Sequence, residues 1–556
     1  MDDVKNSAGR MTRRTFLSGT VAAAGGSILL PAVLSHAQDR IDPGRPIPPI
    51  LFESFSESMT VEAARIYTRE LARIGIRLNH RPMAFPAFLG KVYFEKNFTL
   101  GMGGFGAAVE RIDPDFWIRS LFHSKGGFNI SGYANPDYDK LAEAQEREVD
   151  PAKRKQLIVE AQRIHARDLP SWWVIGRPMV NPVNNRLFAN FKPRKNTGFE
   201  TYSVFPYLEL QPKGHVKEVH VGTTYRMSSA HLFTERSSNG RGYLRFVYDT
   251  FLAYDNNNAL VPWAAESYKV VDPTTVDLKI RDGMKWHDGK PVTAQDAKFT
   301  IDYLLRWKPP LWSFAYANIK SAELVGTSTL RVRLTAPSAT FITVALTYMA
   351  ILPQHIWKDV PEKAGVKHPD EWDMARHGAI GSGPFKFVSF QKDVDCHVVA
   401  NREHWTGGPK VDGIHYVQAA SVEQLLGGME NESMHIVGDG LNPPDGQKLA
   451  EKPFIQLFVQ PSPTIVTFFV DNRKALFKDP AFRRAMYLAC PKQRILDVAL
   501  ASGGLVARRS PLPPVFTDWI PSDLPGDEFN LDAAKKVLAD AGYSWSSGGD
   551  LVMKKA

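Results

Sequence analysis

The run Gly101-Met102-Gly103-Gly104-Phe105-Gly106 follows a short apolar stretch and fits the GxGxxG spacing that cradles a dinucleotide pyrophosphate. That chemistry also needs a helix opening at the third glycine and an acidic residue at the end of a strand about 20 positions on. Here Asp113-Pro114 interrupts, and no such acid follows. The glycines are therefore read as backbone that must approach something closely or bend sharply. Two carboxylates stand just beyond them, Glu110 and Asp113, placed either to meet a cationic group or to lie solvated in a loop. No HExxH, CxxC, P-loop or GxSxG pattern occurs after the N-terminal region. The 15 histidines are scattered, with no two at the sequence spacing of metal ligands. These residues predict no catalytic constellation, no metal site and no cofactor.

The elements that must position them alternate between strand and helix. Residues 50–55 read as a short apolar strand. Thr60 is placed to cap a helix over 61–74 whose apolar face is Ala63, Ala64, Tyr67, Leu71 and Ile74, and Gly75 ends it. Asp150-Pro151 opens a second helix running to Arg167, with Leu157, Ala161 and Ile164 on one side. This alternation predicts an α/β architecture.

Export is written at the N-terminus. Thr12-Arg13-Arg14-Thr15-Phe16-Leu17-Ser18 precedes a weakly apolar stretch, 21–34, and Ser35-His36-Ala37 offers small residues for cleavage after Ala37. The pattern resembles a twin-arginine signal, which implies a folded protein exported to the periplasm. A membrane anchor is the rival reading, but Gly25-Gly26 and Pro31 break the apolar stretch, which falls short of the ~20 residues a span needs. The two cysteines, Cys396 and Cys490, lie far from the signal; a disulfide between them and two separate thiols are both open.

The chain has 556 residues, enough for more than one domain, and a formal charge of +9. That excess is mild at this length and is not gathered into a patch, which excludes a nucleic-acid binder. Arg508-Arg509 and the run Lys192-Pro193-Arg194-Lys195 read as solvated loops.

Several segments resemble the family 5 solute-binding proteins of ABC importers, the dipeptide- and oligopeptide-binding group. Ala265-Glu266-Ser267, followed by Arg281-Asp282-Gly283-Met284-Lys285-Trp286-His287-Asp288-Gly289, is similar to the family's N-terminal signature. Gly381-Ser382-Gly383-Pro384-Phe385 resembles its GTGPF turn, and Asn401 to Pro409 its N-x-x-Y-W-G-G-P segment. Phe482-Arg483-Arg484-Ala485-Met486 resembles the helix that starts its second lobe, and residues 122–139 a late family segment. The order differs from the family's: late segments occupy 44–212 and early ones begin near Val219. The chain therefore reads as circularly permuted, with the former ends joined through Gln211-Pro212-Lys213-Gly214-His215 and with residues 551–554 placed to pair with 49–52.

The resemblance implies a two-lobed α/β periplasmic binding protein fold of the large, type II peptide-binding class. A signal would occupy 1–37, lobe I 179–437, and lobe II 38–178 with 438–556. Crossings would fall near 177–180 and 436–439. The implied function is capture of a solute, first of all a peptide, and delivery to an ABC permease and its ATPase, by a monomer with no stable membrane insertion. The alternatives are another solute (an opine, amino-acid conjugate, sugar or metal chelate), a cofactor-bearing exported enzyme, or a receptor or chaperone using the same cleft.

In the family an aspartate of a Gly-Trp-x-Ala-Asp loop pairs with the peptide ammonium. The matching stretch is Gly104-Phe105-Gly106-Ala107-Ala108, so Phe105 replaces the tryptophan and Ala108 the aspartate. Glu110 or Asp113 would have to supply the charge. From the facing lobe, Glu235, Arg236, Ser237 and Ser238 match a strand that contacts ligand backbone, and Trp312 and Tyr316 an aromatic segment near the cleft. Arg236 would suit a ligand carboxylate. Trp172-Trp173 and Tyr348-Met349 are cleft or core.

Overall fold

Asp150 illustrates how local chemistry sets the elements. Its carboxylate accepts hydrogen bonds from the N–H groups of Ala152 and Lys153 at 3.0 and 2.9 Å, and Pro151 occupies the first helical position. Both features satisfy the open N-terminus of a helix. The computed structural model of the chain describes residues 41–555, apart from 201–202, 225–226 and 236–237. The twin-arginine motif, the apolar stretch and the cleavage position after Ala37 lie outside the described residues.

Along the chain come β1 (Ile50–Phe55), α1 (Ser58–Ala72), β2 (Leu78–Met83), β3 (Leu100–Phe105), α2 (Pro136–Arg147), α3 (Pro151–Asp168) and β4 (Trp172–Asn184). Next are β5 (Glu218–Thr223), α4 (Ser238–Val247), β6 (Ala265–Asp272), β7 (Thr275–Ile280), α5 (Ala294–Trp307), β8 (Ile319–Val325) and β9 (Thr329–Leu334). The remainder includes β10 (Phe385–Gln391), β11 (Asp395–Ala400), β12 (Gly413–Gln418), β13 (Ile436–Val437), β14 (Ile455–Val470) and α6 (Pro480–Leu488).

In α1 the expected face is buried: Ala63, Ala64, Tyr67 and Leu71 are fully enclosed. The helix starts one turn earlier than Thr60, whose hydroxyl donates to Glu57 at 3.2 Å rather than capping. The stripe of α3 is rotated from the expected one. Arg154, Ile158, Ala161, Gln162 and His165 are buried, while Leu157 and Ile164 are half-buried; Asp113 receives Arg154, and Ser510 and the Trp519 carbonyl receive Gln162. Gly75 has φ +83°, and a Cβ there would lie 2.6 Å from the Gly549 carbonyl, so both conformation and packing require glycine.

One large mixed sheet carries the molecule, in the order β10-β11-β12-β5-β13-β4-β14-β3-β1-β2. A separate antiparallel sheet has the order β6-β7-β9-β8. Two cores form on residues 47–175 and 465–551, and another chiefly on residues 183–436. The long antiparallel pair β4 and β14 joins them. β4 runs from Trp172, Val174 and Ile175 in one core to Val183 in the other, and β14 from Ile455 to Val466, Phe468 and Val470. The ladder between them is broken where Ser462, Pro463 and Thr464 bulge against the single residue Arg177, and the Ser462 hydroxyl donates to the Arg177 carbonyl at 2.7 Å. Near 436–439 the chain stays packed on the β5 side of the sheet. There β13 pairs with β5 and β4, and Leu441 and Leu449 pack with Leu425, Met429 and Met434.

The two ends of the described chain lie side by side. The N–H of Gly44 donates to the Met553 carbonyl at 2.9 Å, that of Ile47 to Leu551 at 2.8 Å, and that of Met553 to Arg45 at 2.8 Å. The expected partner of 551–554 was 49–52. Instead 44–47 takes that place and β1 pairs in parallel with β2 and β3. Pro48 and Pro49 explain the difference, since proline has no N–H to carry a ladder onward. Gln211–Pro212 pairs with Phe188–Ala189, and five residues then lead to β5. Cys396 and Cys490 are buried free thiols in different cores, which removes the disulfide alternative.

Candidate ligand cleft

The glycine run sits on β3 and in the loop after it. Gly104 pairs with Val466 of β14, and a Cβ on it would lie 2.0 Å from the Ile465 carbonyl oxygen. This is the close backbone approach that the glycines imply, and it is made to a neighbouring strand. Tyr93 seals the position, its hydroxyl donating to the Gly104 carbonyl at 2.5 Å. Phe105 is 3% exposed, with edge-on contacts to Tyr93, Phe116 and Trp117, so it is core and not a cleft wall. Gly106 is exposed, and its carbonyl accepts from Arg111 at 2.7 Å. Ala107 and Ala108 then pack in the core formed chiefly on 183–436, so this loop passes from one core to another.

The two candidate acids part company. Asp113 is buried in an ion pair with Arg154, its two oxygens 2.5 and 3.0 Å from the guanidinium nitrogens, and it also accepts from the Asp115 N–H and the Thr343 hydroxyl. Burial would raise its carboxyl, but Arg154 and these hydrogen bonds outweigh that and hold it below its ordinary range. It has no capacity left for a ligand ammonium. Glu110 instead meets Arg241 of α4 at 3.3 Å, with Arg111 3.9 Å away. Burial opposes its charge, while Arg241, Arg111 and Arg245 together keep the carboxyl below its ordinary range.

Arg241 and Arg245 stand four residues apart on one face of α4. Arg241 donates to the Tyr348 hydroxyl at 3.1 Å and Arg245 to the Thr347 carbonyl at 2.6 Å. Both guanidiniums lie over the Tyr348 ring, at 5.8 and 5.4 Å. Beside them is a small cavity bounded by Arg194, Arg245, Tyr248, Tyr254 and Thr347. A second, smaller space shares Arg245 and Tyr248 and reaches Arg241, Trp312 and Tyr348. Arg194 is 2% exposed, and its Nε and Nη2 have no hydrogen-bond partner among the described residues. Burial pushes its guanidinium down to about 10 despite the nearby Tyr254.

Trp312 is brought to this space, its indole N–H donating to the Leu232 carbonyl at 3.1 Å and its ring edge-on to Tyr348. Tyr316 is buried, with its hydroxyl on the Pro309 carbonyl at 3.3 Å, and does not line the cavity. Arg236 and Ser237 lie outside the described residues, and Ser238 begins α4. The expected strand there is a turn followed by this helix, and Glu235 is buried, accepting from the N–H groups of Ser228 and Ser229. Trp172 and Trp173 are core. Arg194, read from sequence as a solvated loop residue, is the clearest miss. The 241/245 spacing was the available signal for the other two arginines.

Residues 259–555 match the family described as bacterial extracellular solute-binding proteins, family 5 Middle. The chain belongs to that family. The family 5 chain is 30% identical over 297 residues to the oligopeptide-binding protein AppA of Bacillus subtilis, covering 52% of this chain and 53% of that protein. It is 25% identical over 319 residues to heme-binding protein A of Haemophilus influenzae, covering 53% and 56%. The chain thus spans about half the length of these curated relatives. Among solved structures, a periplasmic oligopeptide-binding protein of Thermotoga maritima superposes with a TM-score of 0.51 at 23% identity, covering 60% of this chain and 63% of that one. NikZ of Campylobacter jejuni, in complex with Ni(L-His), gives 0.50 at 18%, covering 62% and 66%. These likenesses establish the two-lobed, mixed α/β fold of type II periplasmic binding proteins.

Proposed function

We propose that this protein is the periplasmic receptor of an ABC importer and that it captures a short peptide between its lobes. The observation that carries the reading is the Glu110–Arg241 pair, which spans the cleft beside a cavity bounded by Arg194 and Arg245. A zwitterionic ligand replaces such a pair at both ends: its ammonium takes Glu110 and its carboxylate takes the arginines. Charge-assisted contacts of that kind in an enclosed cleft are strong, and the lobes would have to part to admit a ligand between them. Closure follows from the ligand's preference for the closed state, with no covalent chemistry. The AppA relative is named for oligopeptides, which favours a peptide over other solutes.

The same reading includes export through the twin-arginine route, cleavage after Ala37, a monomer, and handover to a permease and ATPase. It also includes circular permutation. Lobe II comprises the chain up to the middle of β4 together with the chain after the β14 bulge, and lobe I lies between. Two facts support this: family-like segments at 122–139 precede the matched span at 259–555, and 44–47 is hydrogen-bonded to 551–553. An alignment that keeps chain order matches only one block of a permuted chain, in line with half-length coverage.

The test is a thermal-shift and calorimetric screen of di- to pentapeptides against opines, sugars and metal chelates. Peptides should raise the melting temperature in a concentration-dependent way. A rise with a non-peptide solute alone would end the peptide assignment.

A further inference from the structure

We propose that the first lobe carries a divalent transition-metal site of the zinc class on the sheet face opposite its core, held by His397, His415 and Glu218. Register assembles it. His397 of β11 faces His415 of β12, and His415 faces His220 of β5, so residues far apart in sequence share one row. Their neighbours Val219, Val221, Ile414, Tyr416, Cys396 and Val398 point into the core, which leaves the histidine row on the other face. Sequence spacing concealed this arrangement, because cross-strand pairing has no fixed separation along the chain.

The geometry suits an ion. The Nε2 atoms of His397 and His415 lie 3.4 and 3.0 Å from the two oxygens of Glu218. One ligand atom from each of the three residues lies within 4.8 Å of the others. Zinc–ligand bonds of about 2.0–2.2 Å in a tetrahedral set put ligand atoms roughly 3.3–3.6 Å apart. The two imidazoles stack at 3.8 Å with planes 12° apart, and the Nε2 of each faces the same carboxylate; modest rotation of the rings would bring both lone pairs onto one ion. Two histidines and a glutamate form a known zinc donor set that leaves a fourth position for water. The side chains are 17%, 26% and 37% exposed, so an ion reaches them from solvent. Beyond His415, Ser433 fixes His220 by accepting a hydrogen bond from its Nδ1 at 2.9 Å, which leaves the Nε2 lone pair available beside the site. The ion would staple β5, β11 and β12 together and is independent of the cleft.

The test uses the full chain, purified without a polyhistidine tag, stripped with chelator and titrated calorimetrically with zinc chloride. We expect one saturable equivalent, a higher melting temperature with zinc, and no comparable response to magnesium. His415→Asn and Glu218→Gln should each weaken zinc binding by at least about 10-fold without changing peptide binding. Should the histidine variant fail to fold, zinc protection of His397 and His415 from diethyl pyrocarbonate in the unaltered protein, mapped by mass spectrometry, decides the matter. Absence of saturable zinc binding, undiminished binding in both variants, or lack of protection would overturn the site.

Discussion

The Glu110 carboxylate and the Arg241 guanidinium meet at 3.3 Å although 131 positions separate them in the chain. One stands on the loop after β3 and the other on α4. Glu110→Gln keeps the shape and removes the charge. It should weaken peptide binding by about 10-fold or more, the scale of a hydrogen bond to a charged group, roughly 1.5–3 kcal/mol. Calorimetric titration checks this; unchanged affinity would show that the ammonium is anchored elsewhere.

Asp113 should matter for stability and not for affinity of the folded protein. Asp113→Asn leaves Arg154 buried without its counter-charge, a loss of about 3–5 kcal/mol. The folded carboxyl titrates below its unfolded value, so its contribution is present above the unfolded value near pH 4 and is lost as pH falls through the folded one. Urea melts between pH 6 and pH 3 should therefore fall more steeply for the unaltered protein than for the variant.

Two glycines two positions apart should respond differently to alanine. Gly104→Ala drives a methyl into the Ile465 carbonyl and should sharply lower the melting temperature or the soluble yield. At Gly106 a Cβ meets nothing within 4 Å, so Gly106→Ala should stay within about 0.5 kcal/mol of the parent.

Lys492 is fully buried, donating to the Tyr487 hydroxyl at 3.2 Å and the Ala507 carbonyl at 2.9 Å, and burial lowers its ammonium to about 8. The folded protein thus releases this proton before the unfolded chain does. Stability from this group rises with pH between about 8 and the unfolded value near 10.4. In Lys492→Met that rise should be missing, so stability against pH should climb more steeply for the parent than for the variant in this range; identical slopes would refute the assignment.

If the chain is permuted, restoring the family order should be tolerated. A gene opened near Lys213, with Met553 joined to Gly44 by a short linker, should yield a protein with a cooperative melt and the same ligand. Insoluble product from several linker lengths would argue against the permutation.

Much of the scaffold was legible because its signals are local. Asp150-Pro151 marked a helix start through capping chemistry, and Ala63, Ala64, Tyr67 and Leu71 marked a buried face through periodicity. The cleft was harder to read. Glu110 and Asp113 look alike in sequence, and only the three-dimensional placement of Arg154 and Arg241 separates the internal ion pair from the one that spans the lobes. Arg194 looked solvated because it lies among lysines and a proline, yet its guanidinium is enclosed. The histidine row is invisible until strands 397, 415 and 220 are in register.

The bulge at Ser462–Thr464 has a mechanical consequence. Elsewhere along β4 and β14 the paired backbones resist bending as a stiff ribbon. The widest break in the ladder is where three residues face Arg177, with a smaller one between Val466 and Thr467, and the Ser462 hydroxyl hydrogen bond spans the wide one as a catch. If the halves of the molecule move as the proposed function requires, bending would concentrate in this short elastic joint, and the compliance of a few residues set beside the cores would govern how readily the jaws part.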